Sequence, residues 1–439
     1  MSDPLLSDDD IERLATAYFA AHHSAQPLPS DLEDRALAYA FAVRRRFRIP
    51  RVAAGVAFIA GLAAVASVAL VVYVADHAGT RPAAALPTAA MIPTTATWSV
   101  ASEFDSVLNS ATGGQFNAVT CVSSTECWAV RGGIIERYSG TSWSAAAAPE
   151  IADSTLFGIG CAGAYDCWAV GSVDNGPMLF SSPGTPLIEH YTGGAWVEVT
   201  APNSLGVLNA VTCSSADDCW AVGGPSLTAP NAELDPPLID HYSGGTWMSE
   251  SAPGAGTLDG IACPVPGNCW AVGAVGWGST GSPLIAHYSS GVWTTVASSN
   301  LLAGVGGLLS VACVTKSDCW AVGGVGLAGQ IAHDTNGAWS AQPASVPLSS
   351  IACLSSGVCW AVGSDAGGAI SNLIGGAPTP SPSISLIEYY NGATWMPVTT
   401  PPAGSPASVA CVAADECWAV GGSSSTALIE TTVTPSGAG

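Results

Sequence analysis

Val211-Thr-Cys-Ser-Ser-Ala-Asp-Asp-Cys-Trp-Ala-Val-Gly-Gly224 is one of seven copies of a single pattern. Each copy reads Cys, five residues, Cys-Trp-Ala-Val. The pairs are Cys121/Cys127, Cys161/Cys167, Cys213/Cys219, Cys263/Cys269, Cys313/Cys319, Cys353/Cys359 and Cys411/Cys417, which use all 14 cysteines of the chain. Cysteines paired at one fixed offset predict disulfides and an oxidising, extracytoplasmic setting. Zinc takes four ligands, usually from closer pairs of the Cys-x2-4-Cys kind. A five-residue gap with no histidine beside it fits that poorly.

Working outward from this stretch gives a repeat unit. Leu208 to Cys213 reads as a strand and Ser214 to Asp218 as a tight turn. Cys219 to Gly223 is a second strand, apolar on both faces and so buried on both. After a variable loop, Pro237 to Tyr242 is a third strand, and Ser243-Gly-Gly turns the chain into a fourth at Thr246-Trp247. Four antiparallel strands per unit predict a blade, and seven units predict an all-β, seven-bladed β-propeller with one disulfide per blade. The cysteines are expected to act as staples where the first two strands meet their turn. The tryptophans agree. One set follows the second cysteine: Trp128, Trp168, Trp220, Trp270, Trp320, Trp360 and Trp418. Another opens the fourth strand: Trp143, Trp196, Trp247, Trp293, Trp339 and Trp395. The last copy lacks its fourth strand. Thr95-Ala-Thr-Trp98 matches Gly392-Ala-Thr-Trp395, so the strand around Trp98 is expected to complete the last blade and leave no open edge.

Cys-Trp-Ala-Val-Gly-Gly, then Leu-Ile-x-His-Tyr, then Gly-Gly-Thr-Trp resembles the kelch repeat of galactose-oxidase-type propellers. It is similar also to the Asp-box repeats of sialidase-like and photosystem-assembly propellers. The resemblance covers residues 98–433 and implies the fold, not an activity. Tyr242-Ser-Gly-Gly-Thr-Trp247 lacks the aspartate of an Asp box, and Val170-Gly-Ser172 breaks the kelch glycine doublet. Sialidase chemistry needs three arginines on the substrate carboxylate, whereas the propeller region holds only Arg131 and Arg137. A galactose-oxidase copper site needs an unpaired cysteine, and every cysteine here has a repeat partner. No catalytic residue, metal or cofactor is expected.

The formal charge is -22, and from Ala83 onward 24 acids face three bases, Arg131, Arg137 and Lys316. Such a surface excludes nucleic acid and anionic lipid headgroups as partners of the propeller, since both need clustered cations. Residues 1–51 read as a short helical segment ending in Arg44-Arg-Arg-Phe-Arg-Ile-Pro-Arg51. Val52 to Val74 carries no charge and as a helix would span about 35 Å, enough to cross a bilayer. The arginines before it predict a cytoplasmic N-terminus and a single-pass topology in the cell membrane, with the propeller outside. Residues 75–97, rich in Ala, Pro and Thr, read as a tether, and 434–439 as a tail.

Function is harder to read. His190, His241, His287 and His333 recur at one repeat position, too far apart between blades to share a metal, and are expected to play a structural part beside Tyr191, Tyr242 and Tyr288. Glu136, Glu189, Asp240, Glu388 and Glu430 recur on the third strand. Glu126, Asp166, Asp218, Asp318 and Glu416 recur in the first turn. Acids that follow the repeat are expected to be structural or solvating. Length variation concentrates in the second–third and fourth–first connections, above all Gly171–Pro186, Gly223–Pro236 and Gly363–Ser385. Binding residues gather on variable loops over a rigid scaffold. The candidate ligand contacts are therefore Asp174, Asn175, Phe180, Asn231, Glu233, Asp235, Trp277 and Asn372. The expected function is membrane-anchored recognition of a surface glycan or protein. The alternatives are an extracytoplasmic carbohydrate-active hydrolase or lyase, and a sensor that passes occupancy to a cytoplasmic protein at 1–51.

Overall fold

The computed structural model divides into two compact units, Met1–Leu86 and Pro87–Gly439. It describes residues 98–105, 114–174, 184–225, 235–276, 281–296, 301, 305–325, 328–364, 385–398, 404–422 and 426–432, all in the second unit. The expected cytoplasmic segment, membrane helix 52–74, tether and tail lie outside the described residues. Among the described residues no helix is long and apolar enough to cross a membrane.

The described residues form seven four-stranded antiparallel sheets, each in simple sequential order except the last. In the third blade the strands are Val207–Ser215, Asp218–Gly224, Leu238–Ser243 and Thr246–Ser249. The first strand and the second extend further than the sequence pattern suggests, leaving a turn of only Ala216 and Asp217. The last blade is made from both ends of the array. Ser99–Asp105 pairs antiparallel with Thr426–Thr431, which pairs in turn with Glu416–Gly422 and Ser405–Ala413. The closing strand is thus the one the sequence places around Trp98.

Disulfides join the first two strands of every blade. The bridges are Cys121–Cys127, Cys161–Cys167, Cys213–Cys219, Cys263–Cys269, Cys313–Cys319, Cys353–Cys359 and Cys411–Cys417, with paired Cα atoms 4.0–4.1 Å apart. The pairing follows the sequence, as does the burial of the second strand on both faces. The first cysteine of each pair is half-buried near the turn. The second is fully buried at 0% exposure: Cys127, Cys167, Cys219, Cys269, Cys319, Cys359 and Cys417. Each of these packs in one apolar cluster with the second-strand tryptophan of the preceding blade. Cys167 joins Trp128, Cys219 joins Trp168, Cys269 joins Trp220, Cys319 joins Trp270, Cys359 joins Trp320 and Cys417 joins Trp360. Cys127 joins Trp418 and closes the series. The bridges are therefore part of the core between blades and not only staples at a turn. The reason is the neighbouring blade, which covers the second strand on the face where these sulfurs lie.

Blades also pack through their tryptophans. The second-strand tryptophan of each blade meets the fourth-strand tryptophan of the next edge-to-face, as in Trp128–Trp196 at 5.4 Å and Trp168–Trp247 at 5.1 Å. The series closes through Trp360–Trp98 at 5.6 Å and Trp418–Trp143 at 5.4 Å. Edge-to-face pairs place the positive ring rim on the negative ring face and add to the area buried. A tyrosine of the next blade seals the same contact in most blades, for example Trp220–Tyr288 at 4.6 Å.

The first strand carries a bulge that the alternation of residues demands. Leu208 and Val211 are three apart, so in a regular strand they would face opposite sides. Both instead sit in one cluster with Trp168 and Val170 of the preceding blade. The register skips Asn209, and that one extra residue brings both side chains to the same face. Equivalent skips fall at Phe157, Asp259, Leu309, Ser349 and Ala407. Beside the bulge the chain passes close over the second strand. A Cβ on Gly223 would lie 1.8 Å from the Val207 carbonyl oxygen, so only glycine fits. The first blade departs from this rule. Arg131 takes the glycine's place there, and the inner strand begins only at Ala118, past the point of close approach.

Candidate functional site

Three kinds of position could bear on function, two that recur around the ring and one that varies, and the structure separates their roles. The first is the pair formed by the first turn and the third strand. His190 Nε2 lies 2.7 Å from Asp166 Oδ1, His241 Nε2 2.8 Å from Asp218 Oδ1, and His333 Nε2 2.9 Å from Asp318 Oδ1. Each imidazole also lies flat on the tryptophan opposite it on the second strand, at 3.6 Å for Trp168–His190. The fourth histidine shows the logic by substitution. Where the turn residue is Asn268 in place of aspartate, its amide donates to His287 Nε2 at 3.0 Å, and burial lowers the pKa of that ring. In the first blade Arg137 takes the histidine's place, bonds Glu126 at 2.8 Å and caps Trp128 at 5.0 Å. These histidines are structural, but their anchors are the turn acid and their own blade's tryptophan more than the tyrosines.

The second kind is the third-strand acid. Glu136, Glu189, Asp240, Glu388 and Glu430 are buried rather than solvating. Each stands opposite the alanine of Cys-Trp-Ala-Val, whose small side chain leaves room for it. Burial drives all five pKa values up, to about 7 for Glu189, Asp240 and Glu430. Arg131 offsets this for Glu136 at 3.2 Å, and Asn203 for Asp240 at 2.7 Å. Glu189 also faces a second carboxylate, Glu198, opposite it on the fourth strand, which adds to the rise.

The third kind breaks the repeat. The first strands of all seven blades touch one another in succession and enclose the axis. Each bulge frees one residue at this inner edge: Phe157, Asn209, Asp259, Leu309, Ser349 and Ala407, with Asn117 in the same place in the first blade. All seven are half-buried. They lie near the start of the inner strand, at the end of the propeller where the fourth–first and second–third connections emerge. Hydrogen bonds between these connections confirm that they share one end: Asp174 N to Asp153 O at 3.0 Å, Gly206 N to Gly184 O at 2.8 Å, and Gly256 N to Asp235 O at 2.9 Å. The opposite end carries the two-residue first–second turns and the short third–fourth turns.

Of the candidate contacts read from the sequence, Asp174 and Asp235 are described. Asp174 is half-buried and its pKa is raised, chiefly by burial and then by Asp153; Asp235 is exposed. Both lie on the expected face, in different blades. Asn175, Phe180, Asn231, Glu233, Trp277 and Asn372 lie outside the described residues. The cysteines take no part in a site. All are bridged, and Cys127, Cys167, Cys219, Cys269, Cys319, Cys359 and Cys417 are closed off from solvent altogether. The axial residues were missed. The available signal was a single variable column in a constant frame: Leu156-Phe-Gly-Ile, Leu208-Asn-Ala-Val, Leu258-Asp-Gly-Ile and Leu308-Leu-Ser-Val. Among the described residues no group of three or more His, Cys, Asp or Glu converges as a metal site would require.

No family model matches the chain, and no curated protein matches it. Solved structures do. A WD40 β-propeller domain of Doa1 has a TM-score of 0.50 at 11% identity, covering 76% of this chain and 96% of that one. YCF48 bound to D1 peptide has a TM-score of 0.49 at 14% identity, covering 77% and 97%. YCF48 from Cyanidioschyzon merolae has a TM-score of 0.46 at 12% identity, covering 75% and 99%. At such identities the likeness concerns the fold. The chain is a seven-bladed, disulfide-stapled β-propeller.

Proposed function

We propose that the chain is a recognition module tethered to the cell membrane, with its propeller outside the cytoplasm and its ligand, a surface protein or glycan, on the face of the long connections. The observation that carries this reading is the asymmetry of the two ends. Turns at one end are held to a few residues in every blade, whereas connections at the other run from Gly132-Gly133 to the stretch from Asp365 to Ile384. The same end holds the half-buried axial residues, where blades differ most in chemistry along the inner strands. The pairing of all 14 cysteines supports an oxidising compartment, and the uncharged run 52–74 behind its arginines supports the anchor. The glycine doublets and the Tyr–Trp packing support reading the repeat as a kelch-type variant.

Three experiments test it. The full-length chain is melted against surface glycans and surface proteins, since a ligand specific to the folded state stabilises it by about 2.7 kcal/mol at a hundredfold excess over Kd. Hydrogen exchange then locates the ligand. Protection is expected at 153–154, 174, 206 and 256; protection confined to the turns at Tyr165 and Lys316 would overturn the assigned face. In intact cells an epitope at residue 439 should be reached from outside and one at residue 1 only after permeabilisation. The reverse labelling would overturn the topology.

A further inference from the structure

Asp259 is the one ionisable side chain on the seven inner strands, the bridged cysteines aside. The first-turn and third-strand acids recur from blade to blade, because the packing problem they solve recurs; of the buried acids that do not, Asp334 fills the tyrosine position of a third strand, whereas Asp259 stands on an inner strand beside the axis. Its place is held elsewhere by Asn117, Phe157, Asn209, Leu309, Ser349 and Ala407. An acid that appears once serves something that is not repeated, and on the axis of a ring that thing lies outside the blades.

Its surroundings point the same way. Asp259 Oδ1 accepts a hydrogen bond from Asn209 Nδ2 at 3.0 Å. The same amide donates to the Leu258 carbonyl oxygen at 3.0 Å, an atom that only accepts, so the orientation of Asn209 is fixed. The strands packed against that of Asp259 are Val207–Ser215, Leu308–Thr315, Asp218–Gly224 and its hydrogen-bonded partner Asn268–Val275; their one acid, Asp218, stands at the first-turn end of its strand, bonded to His241. Protein surrounds the carboxyl while part of the residue stays open to the axis, and burial pushes its pKa up to about 7, opposed only by Asn209. The propeller has no cation to spare for it among the described residues. Arg131 and Arg137 are paired with Glu136 and Glu126, and Lys316 sits in a first–second turn at the opposite end. A desolvated carboxylate without a countercharge is costly, and a cation brought by a ligand removes that cost.

Building on the recognition reading above, we infer that the axial opening takes a lysine or arginine side chain from a basic segment of a partner protein. Its charged head meets Asp259, and its aliphatic stem lies along Phe157, Leu309 and Ala407. Two features favour a protein over an amino-bearing glycan. Three of the seven axial positions, Phe157, Leu309 and Ala407, are apolar, which suits a charge carried at the end of an apolar stem. The net charge near -21 from Ala83 onward steers basic segments to the surface before the axial contact forms.

The test uses the full-length oxidised chain and a fluorescent lysine-rich peptide, with the same peptide acetylated at every lysine as the neutral probe, at about 0.15 M salt to screen the surface field. D259N should weaken binding at pH 8 by about tenfold or more, the scale of one charge-assisted contact. D217N removes an exposed acid at the other end and should change it less than about twofold. Wild-type affinity should rise about tenfold from pH 6 to pH 8 as the carboxyl ionises, and D259N should be flat. D259N should melt no lower than wild type at pH 8, so lost binding is not lost folding. Binding by D259N within twofold of wild type, or equal binding of the acetylated peptide, overturns the inference. Failure of the lysine peptide to bind wild type, while a glycan or a neutral protein raises Tm, overturns it too and leaves the recognition reading standing.

Discussion

Replacing Glu189 by glutamine should stabilise the propeller, and only at high pH. Glu189 is 1% exposed, packed between Ala169 on the second strand and Glu198 on the fourth, and its Oε2 finds no hydrogen-bond partner among the described residues. Its pKa is raised from 4.5 to about 7, first by burial and then by the Glu198 charge. The folded state therefore binds more protons than the unfolded state between those two values. Stability falls as pH rises through that window, and the loss is complete above about pH 7. At 1.36 kcal/mol per unit, the linkage amounts to about 3 kcal/mol at pH 8 and less than about 1 kcal/mol at pH 5. Glutamine keeps the shape and cannot ionise. For the roughly 335 residues of the array, with about 2.1 cal/mol/K each, the gain corresponds to about 4 °C in Tm at pH 8 and about 1 °C at pH 5. Calorimetry at the two pH values, with the disulfides oxidised and away from the isoelectric point of 4.3, reads the difference directly. Equal shifts at both pH values, or a lower Tm for the variant at pH 8, would refute the claim that a buried, ionising Glu189 opposes folding.

Three further outcomes follow from the packing. Gly223→Ala sets a Cβ 1.8 Å from the Val207 carbonyl and should cost more than about 3 kcal/mol, whereas Gly244→Ala, in open space at φ +62°, should cost about 1 kcal/mol; urea unfolding of the two variants compares them. Trp98→Ala removes the ring that packs edge-to-face on Trp360 at the closure between chain ends, and should cost about 3–5 kcal/mol with early loss of protection in Thr426–Thr431 by hydrogen exchange. Replacing Cys213 and Cys219 together by alanine opens one short loop and should cost about 2 kcal/mol in the same unfolding assay, with further loss from the space left beside Trp168.

The fold was legible because the same physical problem is solved seven times. Each blade needs a covalent staple, a small residue facing the third strand and a large ring for the next blade, and Cys-Trp-Ala-Val answers all three in one line of sequence. The closure was legible for the same reason, since Trp98 is a fourth-strand tryptophan standing at the wrong end of the array. The partners of the histidines were less legible. Asp166 and His190 lie 24 positions apart across a variable loop, and only the register that sets His190 opposite Trp168 brings them together. Burial of the third-strand acids was misread as optional, because an alternating strand signals its outer face by polarity, and in a propeller both faces of a middle strand meet another blade.

The axial residues escaped for a subtler reason. A strand reading takes alternate residues to one face, and Leu208 and Val211 violate that unless a residue between them leaves the ladder. The odd spacing was therefore itself the signal of a bulge, and the residue expelled by the bulge is the one the fold does not constrain. Leucine before it and valine or isoleucine after it are held by the tryptophan of the preceding blade, while Asn209 and its counterparts need only fit beside the axis. Within a repeat, positions fixed by packing converge on one residue type and positions released from packing diverge. Divergence there is drift where the residue is Ala407 or Ser349. An ionisable group is different, because burial without a countercharge works against folding. Asp259 therefore stands out twice, as the odd residue of its column and as a cost that the blades do not require.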